Sequence, residues 1–282
     1  MSHKSLIVIP GFLTEPHTLA RQDQSSAFNK LDPSAALDRR AWELAFQHLT
    51  HDDVEVLTFQ WASQSAIELL WETLGPILKQ ARNLSLDFVK SQLMKSAGDI
   101  HDAWTQARTE CDAQIQALHE LIAERCNLGE VQVIGHSLGA RLALKTMHEQ
   151  AQQGHSLDYK LSAWAPAISL KDLDWERLSR QKYLPEIMYS QADLVLKLIY
   201  PLGQGARPSG HMLDIITLLA SLMNSNPQKQ ALGLIGPPSV AASIKQRSID
   251  LSAQNIRHLT YLPSAEYLFK SSQYLKEYLK TS

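Results

Sequence analysis

"VQVIGHSLGA", residues 131–140, is the stretch of sequence that decides the fold. An alternating apolar run ends in Gly-His-Ser-Leu-Gly, and the amphipathic "RLALKTMHEQ" follows it. This pattern predicts a strand that turns sharply into a helix, with Ser137 at the tip of the turn. Gly135 and Gly139 fit where larger side chains would collide with the crossing strand and helix. Ser137 is then either part of a plain tight turn or a nucleophile held out on a strained turn, and the strand-to-helix context favours the nucleophile.

The composition is that of an ordinary globular protein. Of the 282 residues, 44% are hydrophobic and 20% are charged, and the net charge is −2. No block of Lys or Arg appears, so we expect no nucleic-acid partner. The apolar run at residues 6–9 is too short for a secretory signal, and no run approaches the roughly 18 apolar residues of a spanning helix. We therefore predict a cytoplasmic protein without a transmembrane segment.

Strand and helix patterns alternate along most of the sequence. Strand patterns occur at residues 5–10, 54–59, 131–136, 159–164 and 186–190, with a weaker one at 246–252. Amphipathic helical patterns separate most of them. Alternation of this kind favours an α/β fold with a mostly parallel central sheet and helices on both faces, here as a single domain over residues 1–282.

Two segments interrupt this alternation. Residues 64–126 carry helical patterns only, and Pro76 is expected to break them. Cys111 and Cys126 would lie about 22 Å apart on one long helix, too far for a disulfide, so we expect free thiols in a reducing compartment. The segment is either a packed helical hairpin or a lid or apolar platform over a site. Residues 203–238 form a second apolar insertion that can supply another wall of a pocket.

A nucleophilic serine needs a general base, and the base needs an orienting acid. His258 lies just beyond the weak sixth strand pattern, where a loop can reach back to the serine, and we favour it over His211. The alternative for His258 is a surface histidine at the start of a helix. His148 and His155 fall in the helix after Ser137 and in its exit loop, where we expect them to be solvated.

Asp193 is the favoured acid, because the strand pattern at 186–190 ends three residues before it. The carboxyl ends of parallel strands share one edge of a sheet, so Asp193 is expected at the same edge as Ser137. Its alternative role is to cap the helix that follows. Asp172, Asp174 and Asp214 are the competing carboxylates.

An oxyanion formed beside Ser137 needs two N–H donors. The first is the backbone N–H of Leu138, the residue after the candidate nucleophile. The second is expected from the loop after the first strand, "IPGFLTE", where we choose the N–H of Phe12, with Leu13 behind it. Without the other site residues, the same segment is equally well explained as an ordinary turn.

The stretches "IVIPGF", "GHSLGAR", "YSQADLVL" and "RHLTY" resemble the α/β-hydrolase superfamily. More narrowly, the sequence is similar to a hydrolase family that includes the transmembrane-and-coiled-coil-domain proteins. That family pairs a "GxSLGAR" elbow with "YSxxD" before an apolar helix and with a later His followed by Tyr, and "TFQWA" also fits it. The resemblance covers about residues 5–280 and implies an α/β-hydrolase fold with Ser137, Asp193 and His258 as a catalytic triad. The sequence departs from the family in lacking membrane-spanning segments.

These expectations combine into a serine esterase or lipase-like hydrolase that needs neither a metal nor an organic cofactor. The apolar residues within 69–78 and 215–223 can wall an acyl-chain pocket, so a lipid or other hydrophobic ester is the expected substrate. The same surfaces can instead form a homo-oligomer interface, and peripheral membrane contact stays open. The alternative function is an inactive hydrolase fold that serves as a binding or scaffold protein.

Overall fold

The protein is described by a computed structural model over residues 3–11, 39–61, 97–154, 158–204 and 230–280. Within these ranges six strands form one all-parallel sheet in the order β2-β1-β3-β4-β5-β6. The strands are β1 (His3–Ile9), β2 (Val54–Thr58), β3 (Gly129–His136), β4 (Tyr159–Trp164), β5 (Glu186–Tyr189) and β6 (Ile249–Asp250). Because all six strands run the same way, their carboxyl ends share one edge of the sheet.

Nine α-helices lie in the described ranges. They are α1 (Arg39–Leu49), α2 (Ala97–Ala113), α3 (Ile115–Cys126), α4 (Leu138–Gln152), α5 (Trp175–Leu178), α6 (Leu194–Gln204), α7 (Leu232–Ile235), α8 (Ala242–Arg247) and α9 (Ala265–Ser271). Short 3₁₀ turns join several of them, and the turn at His258–Thr260 follows β6.

Helices cover both faces of the sheet. β1 and β3 bury consecutive residues along most of their lengths, as expected where neither face meets water. Neighbouring side chains on a strand point to opposite faces, so Gly135 and His136 mark the two sides of β3. α4 packs on the Gly135 side, where an added Cβ would lie 2.6 Å from the Cα of Ala140. α1 packs on the other side, where the ring of Trp42 lies 5.1 Å from that of His136.

The α/β class and the parallel sheet expected from the sequence are confirmed, and each strand pattern coincides with a strand. The weakest pattern, at 246–252, corresponds to the shortest strand, with two residues in β6. The long helix expected to run to Cys126 is wrong in one respect, because Gln114 separates α2 from α3. The Gln114 N–H donates to the Cys111 carbonyl three residues back, which closes a tighter turn than the bonds of an α-helix do. Cys111 and Cys126 therefore lie on different helices, and both are free cysteines.

The described part of the first insertion packs firmly onto the rest of the protein. α2 buries a stripe of apolar residues, and its Trp104 packs edge-on against Tyr200 of α6 at 5.9 Å. Asp112 at its end accepts hydrogen bonds from Arg141 of α4, to Nε at 3.0 Å and to Nη2 at 2.9 Å. Burial alone would raise the pKa of the Asp112 carboxyl, but Arg141 and Lys145 hold it below its usual value. α2 is thus fixed to the helix that begins just after Ser137.

Other parts of the predicted insertions lie outside the described residues. These are residues 64–96 of the first segment and 205–229 of the second, which include Pro76 and the apolar stretches proposed to wall a pocket. The interpretation of the first segment as a lid or platform stays a prediction. None of the helices in the described ranges is long and apolar enough to span a bilayer.

Candidate active site

Ser137 lies in a strained turn between β3 and α4. Its backbone has φ 55° and ψ −118°, a region that residues other than glycine rarely adopt. β4 and the loop after it hold this conformation from two sides. The Ser137 N–H donates to the Trp164 carbonyl at 2.9 Å, and the Ser137 carbonyl accepts from the Ala167 N–H at 3.1 Å. The turn therefore presents the Ser137 side chain at the carboxyl edge of the sheet, as the sequence pattern predicts.

The two glycines that flank Ser137 lie where the chain crosses itself closely. A Cβ on Gly135 would lie 2.6 Å from the Cα of Ala140, and a Cβ on Gly139 would lie 2.6 Å from the Pro10 carbonyl oxygen. Both contacts are with backbone atoms, which cannot swing aside as a flexible side chain would. The need for glycine here is close approach, since neither residue has a positive φ.

His258 approaches Ser137 from the turn after β6. Its Nε2 lies 2.8 Å from Ser137 Oγ, and the side chain is buried, with 3% of the residue exposed. The 3₁₀ turn that carries it spans only three residues. His211, the competing base, lies outside the described residues, as does His155. His148 is part of α4 and contacts Gln152.

Asp193 completes a hydrogen-bonded cluster. Its Oδ2 lies 2.8 Å from His258 Nδ1, and its Oδ1 accepts from the Leu196 N–H at 2.9 Å. The two roles weighed from the sequence, partner of a histidine and helix cap, are thus filled by different oxygens of one carboxyl group. Asp193 is fully buried. We call the set of Ser137, His258 and Asp193 the Ser137 cluster.

The competing carboxylates serve other contacts. Asp172 pairs with Arg141 at 3.4 Å, and Asp174 caps α5 by accepting from the Arg177 N–H at 3.1 Å. Asp214 lies outside the described residues. Among the described candidates, Asp193 alone is hydrogen-bonded to His258.

The hydrogen bonds of the Ser137 cluster define a direction for proton movement. A carboxylate oxygen accepts hydrogen bonds, so Nδ1 of His258 carries the proton that faces Asp193. Nε2 then holds a lone pair and accepts the hydroxyl proton of Ser137 across 2.8 Å. This arrangement can draw the proton from a serine hydroxyl that attacks an electrophile.

The expected oxyanion donors are placed only in part. Leu138 is the first residue of α4, so its N–H has no acceptor within the helix. Phe12 and Leu13 lie outside the described residues. The loop that leads to them is described as far as Gly11, and an added Cβ on Gly11 would lie 2.9 Å from the Ser137 Cβ. Trp61 anchors this loop through a 2.9 Å bond from its indole N–H to the Pro10 carbonyl.

His136 is a site residue that the sequence pattern did not single out. It is buried between Trp42, Tyr261 and His258, with ring centroids 5.1, 5.4 and 4.7 Å away. Its Nε2 lies 3.1 Å from the His258 carbonyl oxygen. Burial and the neighbouring His258 hold the pKa of His136 well below the usual value. In the sequence, strand alternation is the feature that bears on His136, because it places this side chain on the opposite face of β3 from Gly135.

Three or more His, Cys, Asp or Glu side chains that lie close together could hold a metal ion. No such group occurs in residues 3–11, 39–61, 97–154, 158–204 or 230–280.

No protein-family model matches the sequence, and neither curated proteins nor solved structures give a match. The similarity to a hydrolase family thus stays a prediction that rests on the motifs quoted above.

Proposed function

We propose that the protein is a serine hydrolase that cleaves carboxylic esters through an acyl-enzyme. The observation that carries the proposal is the pair of 2.8 Å contacts, Ser137 Oγ to His258 Nε2 and His258 Nδ1 to Asp193 Oδ2. The three residues come from loops after three different strands. Their convergence beside a non-glycine residue with a positive φ is the geometry expected of an activated nucleophile.

The proposed reaction has two steps. His258 Nε2 takes the proton of Ser137, whose oxygen attacks the ester carbonyl, and the resulting imidazolium returns the proton to the leaving alcohol. Water then attacks the acyl-enzyme with His258 again as the base, which releases the acid and restores Ser137. Asp193 keeps the proton on Nδ1 and stabilises the imidazolium, while its second oxygen is held by the Leu196 N–H.

The negative charge that develops on the substrate oxygen requires hydrogen-bond donors close to that oxygen. We propose the N–H groups of Leu138 and Phe12 for this role. Leu138 supplies the start of α4, where unpaired N–H groups and the helix dipole favour negative charge. A single donor of this type contributes about 2.7–4 kcal/mol to the transition state.

The finer fold proposed is that of the α/β hydrolases. In that fold the serine follows a central strand on a sharp turn, and the acid and the histidine come later in the chain, in that order. Here Ser137 follows β3, Asp193 follows β5 and His258 follows β6, each beyond the carboxyl end of its strand. The topology and the chain order both support the assignment.

The proposed substrate is an ester of a lipid or another hydrophobic acid. The support comes from apolar segments that adjoin the Ser137 cluster in sequence. α6 begins directly after Asp193, is apolar along most of its length, and leaves its first residue, Leu194, 38% exposed. The segment 205–229 continues from this helix and carries the apolar run at 215–223.

Hydrolysis of p-nitrophenyl esters of increasing acyl length tests the proposal. We expect hydrolysis by the wild-type protein, with a maximum at medium or long chains, and its loss in Ser137→Ala. Ser162→Ala is the matched control, because Ser162 is also a buried serine but bonds to the Glu186 carboxylate and not to a histidine. A maximum at the shortest chain would contradict a lipid-like substrate. A folded wild-type protein that hydrolyses no ester would contradict the hydrolase and favour a binding or scaffold protein.

A further inference from the structure

His136 links the strand that carries Ser137 to the turn that carries His258. Its Nε2 is 3.1 Å from the His258 carbonyl oxygen, and its ring packs against the His258 ring at 4.7 Å. A carbonyl oxygen only accepts hydrogen bonds, so Nε2 of His136 must carry the proton. The adjacent residue, Ser137, meets Nε2 of His258 at 2.8 Å. Two consecutive residues of the chain therefore hold His258, one through its backbone and the other through its ring.

The surroundings keep His136 uncharged. The titratable residues whose rings pack against it are His258 and Tyr261, and the third ring is that of Trp42. Burial lowers the pKa of His136, and the charge that His258 can carry lowers it further. Burial and then Asp193 raise the pKa of Tyr261 well above its usual value, so Tyr261 is neutral as well. With the proton on Nε2, Nδ1 of His136 holds a lone pair.

That lone pair faces the loop after β1. An added Cβ on Gly11 would lie 2.8 Å from His136 Nδ1, so the backbone of Gly11 passes directly beside it. The same loop is the one expected to supply the second oxyanion donor, at Phe12. His136 thus lies between the turn that carries His258 and the loop after β1, and both must be correctly placed relative to Ser137.

We propose that neutral His136 is a positioning residue for His258, holding the His258 carbonyl through its Nε2–H and thereby setting the distance from the His258 ring to Ser137. The inference rests on the proposed hydrolase function. The need for such a residue follows from the element that carries His258, which is a three-residue 3₁₀ turn outside the paired strands of the sheet. Hydrogen bonds between Arg257 and Thr260 close this turn on itself, whereas β3 is paired on both sides within the sheet.

Two substitutions at position 136 separate positioning from bulk packing. His136→Phe keeps an aromatic ring of similar size but removes the N–H donor. His136→Gln places an amide N–H at a similar reach and keeps the bond to the His258 carbonyl. His148→Phe makes the same chemical change in α4, away from the His258 carbonyl, and serves as the control.

Steady-state hydrolysis of a p-nitrophenyl ester gives the first readout. We expect His136→Phe to lower kcat at least about tenfold with KM changed less than about threefold, because the base is displaced and the ester site is not. His136→Gln should restore kcat to within about threefold of wild type. Wild-type kcat in folded His136→Phe would overturn the inference, as would an equal loss of kcat in His136→Gln.

Nuclear magnetic resonance gives a second readout that does not depend on turnover. The His258 Nδ1–H proton facing Asp193 should give a downfield resonance in wild type, His136→Gln and His148→Phe, and a broadened or absent one in His136→Phe. Nitrogen shifts should show His136 neutral and protonated at Nε2 near pH 7. A charged His136, or one protonated at Nδ1, would overturn the inference even if His136→Phe does not fold. Inactive wild type with these signals intact would contradict the hydrolase proposal and not the positioning role.

Discussion

Each of two buried clusters of polar side chains contains a serine and a carboxyl group, and the two clusters lie at different levels of the same sheet. The Ser137 cluster lies beyond the carboxyl ends of the strands. The second, named the Glu186 cluster, lies at the amino end of β5 and comprises Glu186, Ser162, Ser272, Gln273 and Gln132. Glu186 accepts hydrogen bonds from Ser162 Oγ at 3.1 Å, from Ser272 Oγ and from the Gln273 N–H at 2.9 Å. Gln132 Nε2 lies 3.3 Å from Ser162 Oγ.

The difference between the clusters shows what separates a candidate site from structural polar packing. In the Glu186 cluster the serine hydroxyls donate directly to the carboxylate, and no imidazole lies between them. Ser162 sits in the regular backbone of β4, whereas Ser137 has a positive φ. A buried serine–carboxylate pair therefore satisfies hydrogen bonds, and an interposed histidine beside a strained serine adds the means to move a proton.

The substitution Asp193→Asn should give the largest functional effect. The amide oxygen can still accept from the Leu196 N–H, which turns the amide NH₂ toward His258 and forces the proton onto Nε2. His258 can then no longer accept a proton from Ser137, so we expect kcat for ester hydrolysis to fall about 10⁴-fold. The melting temperature should change little. A kcat within tenfold of wild type would show that Asp193 acts only as a cap.

The substitution Glu186→Ala should give the converse result. It leaves the Ser162 and Ser272 hydroxyls and the Gln273 N–H without their acceptor in the interior, so we expect the free energy of unfolding to fall by about 3 kcal/mol. The kcat of the folded fraction should stay that of wild type. Urea titration with parallel kinetics measures both quantities, with Glu186→Gln as a milder control. A fall in kcat without a fall in stability would contradict the structural role of the cluster.

His136, which packs against the Ser137 cluster, and the Glu186 cluster should respond to pH with opposite sign. The pKa of His136 is held below the unfolded value of about 6.5, so the unfolded state binds more protons and stability is lost as pH falls below that value. The loss is at most about 1.4 kcal/mol per pH unit. Burial raises the pKa of the Glu186 carboxyl despite its hydrogen bonds, so its contribution to the free energy of unfolding falls as pH rises above the unfolded value.

Unfolding free energies of wild type and His136→Gln between about pH 5 and 7 isolate the histidine contribution. We expect the two proteins to lose stability in parallel where other groups titrate, and wild type alone to show the additional acid-side loss. Identical pH profiles would mean that His136 is not kept neutral by folding.

Backbone strain at the carboxyl edge predicts the smallest effect. Ala165, just after β4, has φ 45° and lies beside the loop that holds the Ser137 carbonyl. Ala165→Gly removes the steric cost of that conformation and adds flexibility to the unfolded state, so we expect a net gain of about 0.5–1 kcal/mol. Ala167→Gly, at a position without a positive φ, should lose a similar amount. Calorimetry of both variants measures the difference, and a loss at both positions would contradict strain at Ala165.

Local patterns predicted most of the sheet and the three residues of the Ser137 cluster. Each strand pattern in the sequence coincides with a strand of the structure. The positions of Ser137, Asp193 and His258 beyond the ends of strands follow from chain direction in a parallel sheet. The local pattern does not predict the break between α2 and α3, because Gln114 is a good helix former.

The remaining features depend on contacts between residues distant in the chain. The cap and the histidine contact of Asp193 were weighed as alternatives, since sequence does not show that one carboxyl group can serve both. His136 and Glu186 lie in strand patterns, where a polar residue usually indicates a surface position. In the structure α1 packs against His136, and the segment after α9 packs against Glu186. Phe12, His211 and Asp214 stay as predicted candidates outside the described residues.

Covalent labelling with a fluorophosphonate tests the central claim most directly, because it requires an activated serine and no knowledge of the substrate. Mass spectrometry of the digested protein should locate one adduct on Ser137 and none on Ser162 or Ser272, and Ser137→Ala should remove the label. An unlabelled but folded wild-type protein, or a label that persists in Ser137→Ala, would contradict the assignment of Ser137 as the nucleophile.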